Sequence, residues 1–288
     1  MIRILLLPLL IFGVCRGYCQ MTPQDYFMKG RNEREMGHNS AALAAFRYIL
    51  QKHPTSPLCP GVHYYIAGIY ADEKKNVDAI KEYRMVVADT AEDAIILSQN
   101  SFFPPDLKHS SADILSSLYE QMGMYDSALY FLGLSDTVFR TQIWGCGNAA
   151  DGEETFKLLR YAKIQEEGSR IKDAEQTLLT GKVFCLNSGS NDLITKLSEL
   201  LKKYEDRRAL KSEIDKAVKH FYFDTGTYRY STKDTFVHCC INFLGQKVKF
   251  EYKGLNLWGK CAQPLYSDRT HLIALLKETA LYVMVKEL

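Results

Sequence analysis

The densest collection of reactive side chains is His238-Cys239-Cys240, with Cys261 further on. A metal reading needs three or four nitrogen and sulfur ligands converging on one point, usually announced by paired CxxC or HxxxH spacing. Neither spacing is present. Neighbouring residues on a strand point to opposite faces, so Cys239 is expected in a core while His238 and Cys240 share the other face. That divides the cluster and favours structural cysteines, since Cys is among the most buried residue types. A redox dithiol would need CxxC, which occurs nowhere. The chain also lacks GxSxG, HExxH, the phosphate-binding P-loop and GxGxxG. His38, His53, His63, His109, His220 and His271 have no matching partners at helical spacing. The expectation is a chain with no catalytic motif, no metal and no cofactor. An envelope enzyme or metal-binding protein with its site in the C-terminal module is the alternative.

The elements that must position this cluster change the period of the sequence. Thr235 to Phe243 places Val237, Cys239, Ile241 and Phe243 on one face, and Gln246 to Lys253 does the same with Val248, Phe250 and Tyr252. Leu244-Gly245-Gln246 joins them as a tight turn, which predicts a β-hairpin, with a further strand over Phe221 to Tyr230. A single helix is expected from Asp268, capped by Ser267, to about Lys286. Before the strands, Asn187 to Asn191 reads as a turn. Two helices follow it, one with Leu193, Leu197, Leu200 and Leu201 on a face, the next with Ile214, Ala217 and Val218.

Upstream the pattern is helical and repeats. From Gly30 one finds Gly37, Ala42, Phe46 and Pro54 at +7, +12, +16 and +24. From Ala67, Tyr70, Ala79 and Tyr83 fall at +3, +12 and +16. Leu118 to Leu132 carries the best copy: from Ser116, Tyr119, Gly123, Ala128 and Leu132 lie at +3, +7, +12 and +16. From Ala162, Ser169, Ala174 and Leu178 lie at +7, +12 and +16. Small residues at zero and +12 let two helices cross closely. Gly or Ser at +7 marks the turn between them. An isolated helix pair cannot bury its outer apolar face, so pairs must stack.

This spacing resembles the tetratricopeptide repeat over roughly Gln24 to Leu179, whose period is about 34 residues. Here the period stretches, with 37, 49 and 46 residues separating Ala42, Ala79, Ala128 and Ala174. The aromatic near each start is Tyr26 in the first copy but His63, Ala112 and Leu158 later. The longer periods contain Asn100 to Pro105, with consecutive prolines, and Trp144 to Gly152, with three glycines. Trp144 reads either as a plug between helix pairs or as a partner-contacting loop. The expected fold is mainly α: a tetratricopeptide-like α-α superhelix of about four degenerate pairs over residues 20–206. A small α+β module follows over 207–288.

The resemblance implies that the first helices of stacked pairs line a concave surface that binds another protein or a peptide. Projecting the helical phase onto it selects Phe27, Arg31, Arg34, Tyr64, Asp113, Glu120, Lys163 and Glu166. Gly68 and Ser117 fall on the same stripe. The Lys/Asn/Arg carboxylate clamp of chaperone-tail binders in that family is missing. Simple solvated helix faces are the competing reading of the same residues.

The compartment is suggested by the first residues. Met1-Ile2-Arg3 is basic, and Ile4 to Val14 is an apolar run too short to span a bilayer. Gly17-Tyr18-Cys19 then offers small residues for cleavage before Gln20, so residues 1–19 are expected to be a secretory signal. The mature chain would be secreted or periplasmic. An acylated Cys15 or Cys19 in a surface lipoprotein of an uptake complex is the competing reading, although neither is preceded by a good lipobox. Removing Arg3 and Arg16 leaves 34 basic and 34 acidic residues. A neutral chain speaks against a nucleic-acid surface, which needs concentrated positive charge. Lys277 and Glu278 in the last helical stretch argue against a membrane span. Six cysteines remain, and their spacing selects no pairing.

Overall fold

The computed structural model describes residues 21–90, 106–139, 147–181, 191–228, 231–250 and 269–288. The signal segment, Cys15, Cys19, Asn100 to Pro105, Trp144 and its loop through Cys146, and Cys185 lie outside these residues. So do the expected turn before Asn191, Cys261 and the Ser267 cap. The described chain is mostly helical, with twelve helices packed as adjacent pairs and a three-stranded antiparallel sheet towards the C-terminus. It divides after Leu107 into two compact units.

The first unit holds α1 (Pro23–Glu35), α2 (Asn39–Lys52), α3 (Cys59–Asp72) and α4 (Asn76–Ala88). Pro23 stands at the start of α1, and Thr22 and Asp25 form a reciprocal capping box that satisfies exposed amides. Phe27, Ala42, Phe46, Ile49, Leu58, Val62, Ile66, Ile69 and Val86 make the core. Gly30 faces α2 at close range: a Cβ there would stand 2.5 Å from the Phe46 ring.

The second unit begins with α5 (Leu107–Gln121), α6 (Tyr125–Thr137), α7 (Gly147–Glu167), α8 (Ile171–Thr180), α9 (Asn191–Tyr204) and α10 (Arg207–Lys219). Tyr119 of α5 stacks on Phe131 of α6, with centroids 5.4 Å apart and planes 7° from parallel. The sheet follows as β1 (Tyr222–Tyr228), β2 (Ser231–Phe243) and β3 (Gln246–Phe250), with β2 central. Then come α11 (Arg269–Lys277) and α12 (Ala280–Glu287). One hydrophobic core joins α7 to α12, from Ala162 and Leu178 through the leucines of α9 to Cys239, Ile241, Phe243, Leu276 and Val285.

Four hairpins close with one turn geometry. Gly37, Lys74, Gly123 and Ser169 all take positive φ, between 57° and 79°. The following amide reaches back to a carbonyl five residues earlier in each: His38 to Glu33, Lys75 to Tyr70, Met124 to Tyr119 and Arg170 to Gln165, at 2.7–2.9 Å. This is the Schellman closure, which satisfies the carbonyls left open at a helix end. The +7 turn expected at Gly37, Gly123 and Ser169 is therefore present, and Lys74 closes the second hairpin in the same way. At Lys74 and Ser169 a non-glycine accepts the strained conformation because the closing hydrogen bonds and the packed second helix require it.

The two-residue turn Leu244-Gly245 has φ of 50° and 75°, the primed geometry suited to strand twist. Glu213 accepts the Leu244 amide at 2.8 Å, and Gln176 donates to the Leu244 carbonyl at 3.2 Å. The hairpin is thus pinned from two helices. The single terminal helix expected from Asp268 to Lys286 is instead two. Thr279 is fully buried and extended (φ −69°, ψ 149°), and its hydroxyl bonds the Leu276 carbonyl while accepting the Tyr282 amide. A side chain that caps one helix and closes the one before it interrupts the apolar periodicity without erasing it.

Candidate functional site

Alternate helices touch along a polar face in each unit, through some of the residues that the spacing selected and others that it did not. In the first unit, the Arg34 guanidinium donates to Asp72 at 3.0 Å, joining α1 to α3. It passes over Gly68, where a Cβ would stand 2.9 Å from it, so the absent side chain admits the arginine. Arg31 and Arg34 lie 5.9 and 5.6 Å from the Tyr65 ring centroid, within cation–π range. Tyr64 is half-buried and meets Tyr65 and Tyr83 edge-on. Burial, and after it the neighbouring Tyr65, raise the Tyr64 hydroxyl above the usual tyrosine range. Phe27 is a correction to the expected surface. It is 1% exposed, with its ring against Phe46 and Tyr65, and offers nothing to a partner.

In the second unit the face is a ladder across α5, α7 and α9. Arg160 of α7 donates to the Asp113 carboxylate and carbonyl and, at 2.8 Å, to Ser117 Oγ of α5. One turn along, Lys163 bonds Glu120 at 2.6 Å. The Glu120 carboxylate holds the Lys163 ammonium above the usual lysine range. Glu166 then accepts from Lys196 of α9 at 2.7 Å and from Lys203 at 3.1 Å. Those two hydrogen bonds, Lys196 foremost, keep Glu166 below the ordinary carboxylate range. Asp113, Glu120, Lys163 and Glu166 are therefore brought together as one ladder, all in the second unit. Arg31, Arg34 and Tyr64 form a separate group in the first.

Sequence reasoning missed Tyr65, Asp72, Arg160, Lys196 and Lys203. A signal for the last two existed: lysines seven residues apart on an amphipathic helix occupy one stripe. Both lie beyond Leu179, where the repeat spacing stops.

The cysteine cluster is divided as strand alternation requires. Cys239 joins the core with Ile241 and Phe243. Cys240, on the opposite face, is fully buried as well. Burial pushes the Cys239 thiol up to about 12 and raises Cys240 too, so neither forms the nucleophilic thiolate at neutral pH. Among the described residues, no group of three or more His, Cys, Asp or Glu is arranged to hold a metal ion. Among them, too, no helix is long and apolar enough to cross a membrane. No protein-family model matches the chain, and no curated protein matches it.

Proposed function

We propose that this protein is a secreted or periplasmic, non-enzymatic scaffold of the tetratricopeptide-like type. It binds another protein or a peptide through the exposed faces of its first helices. The observation that supports this reading most is the ladder on α5, α7 and α9. Six charged side chains from three helices are fixed against one another on a water-facing surface by Asp113–Arg160, Glu120–Lys163 and Glu166–Lys196. Side chains already immobilised lose less entropy when a partner docks, so a polar surface of this kind binds more cheaply than a loose one. The Arg31–Arg34–Tyr65 group supplies the first unit with a cationic and aromatic patch, residue types enriched at interaction hot spots.

Crosslinking and affinity capture from the native cell envelope, followed by mass spectrometry, test the reading. Two variants accompany the wild type, Arg31→Ala/Arg34→Ala and Glu120→Ala/Lys163→Ala. Each must keep the wild-type helical circular dichroism. Loss of the captured partner in either supports a binding face, and unchanged capture in both refutes it. Intact mass of the mature chain separates cleavage before Gln20 from an acylated cysteine.

A further inference from the structure

Glu175 of α8 is the least expected ionisable group in the molecule. Its side chain is fully buried, and neither carboxylate oxygen accepts a hydrogen bond among the described residues. Lys172 Nζ pairs with Oε2 as an ion pair at 3.3 Å and is itself largely exposed. The same ammonium reaches over Glu175 to the Glu205 carboxylate. Glu205 directly follows α9, and its neighbour Asp206 caps α10 by accepting the Ala209 amide at 2.7 Å. One lysine thus serves two carboxylates where α8 meets the corner between α9 and α10.

Among the described residues, the charged groups on the other elements packed round α8 are engaged elsewhere: Glu166 of α7 with Lys196 and Lys203, Lys247 of β3 with Asp224, and Glu213 of α10 with the Leu244 amide. Towards α7 the polar contact is Thr177 with the neutral Gln165, and towards the β2–β3 turn it is Gln176 with the Leu244 carbonyl. Lys172 and Glu205 are the charged groups that act on Glu175. A buried carboxylate with no hydrogen bond is costly when ionised. Once protonated it becomes a donor, and the neighbouring Glu205 carboxylate is an acceptor.

We propose that Glu175 and Glu205 form a proton-operated latch that sets how tightly α8 grips the α9–α10 corner. Protonation closes the latch and deprotonation loosens it. The helix it governs carries Lys196 and Lys203, the last rung of the polar ladder, so the latch regulates the geometry of that face. Only this consequence for partner binding rests on the proposed function; the latch itself does not. Burial, and Glu205 with it, raise the Glu175 carboxyl above the ordinary range. For an acid raised on folding, stability is greatest at the acid end. It is lost as pH rises from the ordinary glutamate range through the folded value, and is level beyond.

Hydrogen exchange on the full chain between pH 5 and pH 8, corrected for intrinsic rates, tests this. In the wild type the opening equilibrium of the α8 to α10 amides should rise with pH by up to about tenfold per unit within that window. Glu175→Gln, whose amide donates as the protonated acid would, should be flat across the range. At neutral pH it should be as protected as the wild type in mild acid. Glu205→Gln, which removes the like charge and keeps Lys172, should show a shallower rise than the wild type. A Glu175→Gln profile that follows the wild type, or lower protection at every pH, overturns the proposal. An unchanged rise in Glu205→Gln overturns it independently.

Discussion

Ser116→Ala should stabilise the second unit. Ser116 sits in the interior of α5, is completely buried, and its hydroxyl has no hydrogen-bond partner among the described residues. Its neighbour Ser117, by contrast, donates to the Asp113 carbonyl. The equivalent positions of three other hairpins carry Gly30, Ala67 and Ala162, all buried. A buried, unpaired hydroxyl costs on the order of 1–3 kcal/mol. Alanine also improves helix propensity by roughly 0.5 kcal/mol. The void left by one oxygen returns part of this, so the expected net gain is about 1–2 kcal/mol. Helical circular dichroism during urea unfolding follows the loss of α5 and the helices around it. The midpoint should move to higher urea with the slope unchanged. The thermal midpoint should rise by about 2–4 °C per kcal/mol. Ser116→Val, which adds volume at the crossing with α6, should instead lose stability by roughly 1–3 kcal/mol. A Ser116→Ala variant that is less stable than the wild type would show that the hydroxyl is bonded, and would refute the reasoning.

Gly30→Ala should destabilise the first unit by about 1–2 kcal/mol. Its Cβ would stand 2.5 Å from Phe46, and overpacking outweighs the better helix propensity. Phe46→Leu in the same chain should recover part of that loss in a double-mutant cycle followed by thermal unfolding. Asp215, which accepts from Tyr282 at 2.7 Å and from Lys286 at 3.0 Å, is held below the ordinary carboxylate range, chiefly by the tyrosine hydroxyl. Stability from a depressed acid is present above its unfolded value and is lost as pH falls through the folded one. Asp215→Asn should therefore cost roughly 0.5–1 kcal/mol at pH 7, a figure already reduced for solvent screening at this half-exposed site. Chemical unfolding at a series of pH values should show the gap between the two proteins closing below the aspartate range. A constant gap would argue against the ion pair as its source.

The spacing of small and apolar residues determined a good part of this molecule. Gly30, Ala67, Ser116 and Ala162 with Ala42, Ala79, Ala128 and Ala174 mark the helix crossings, because helices that cross tightly admit only small side chains. Gly37 and Gly123 announced their turns for the same local reason, and the alternation of Cys239, Ile241 and Phe243 announced β2. Tertiary structure decided what short-range pattern does not encode. Lys74 takes the turn conformation of a glycine because a five-residue closing bond and a packed second helix demand it. Thr279 divides the last helix because its buried hydroxyl serves both halves. Phe27, selected for the surface by helical phase, is core because Tyr65 arrives from α3 to cover it. Arg160 meets Asp113 and Ser117 across more than forty residues of chain, and Lys196 meets Glu166 across thirty. Glu175 and Lys172 stand three residues apart on the same helix, a spacing that by itself says nothing of burial. Glu175 becomes a buried carboxylate beside Glu205 only in the packed structure, where α8 meets α9. Propensity and period act over a few residues, whereas burial and charge pairing depend on which distant helix arrives.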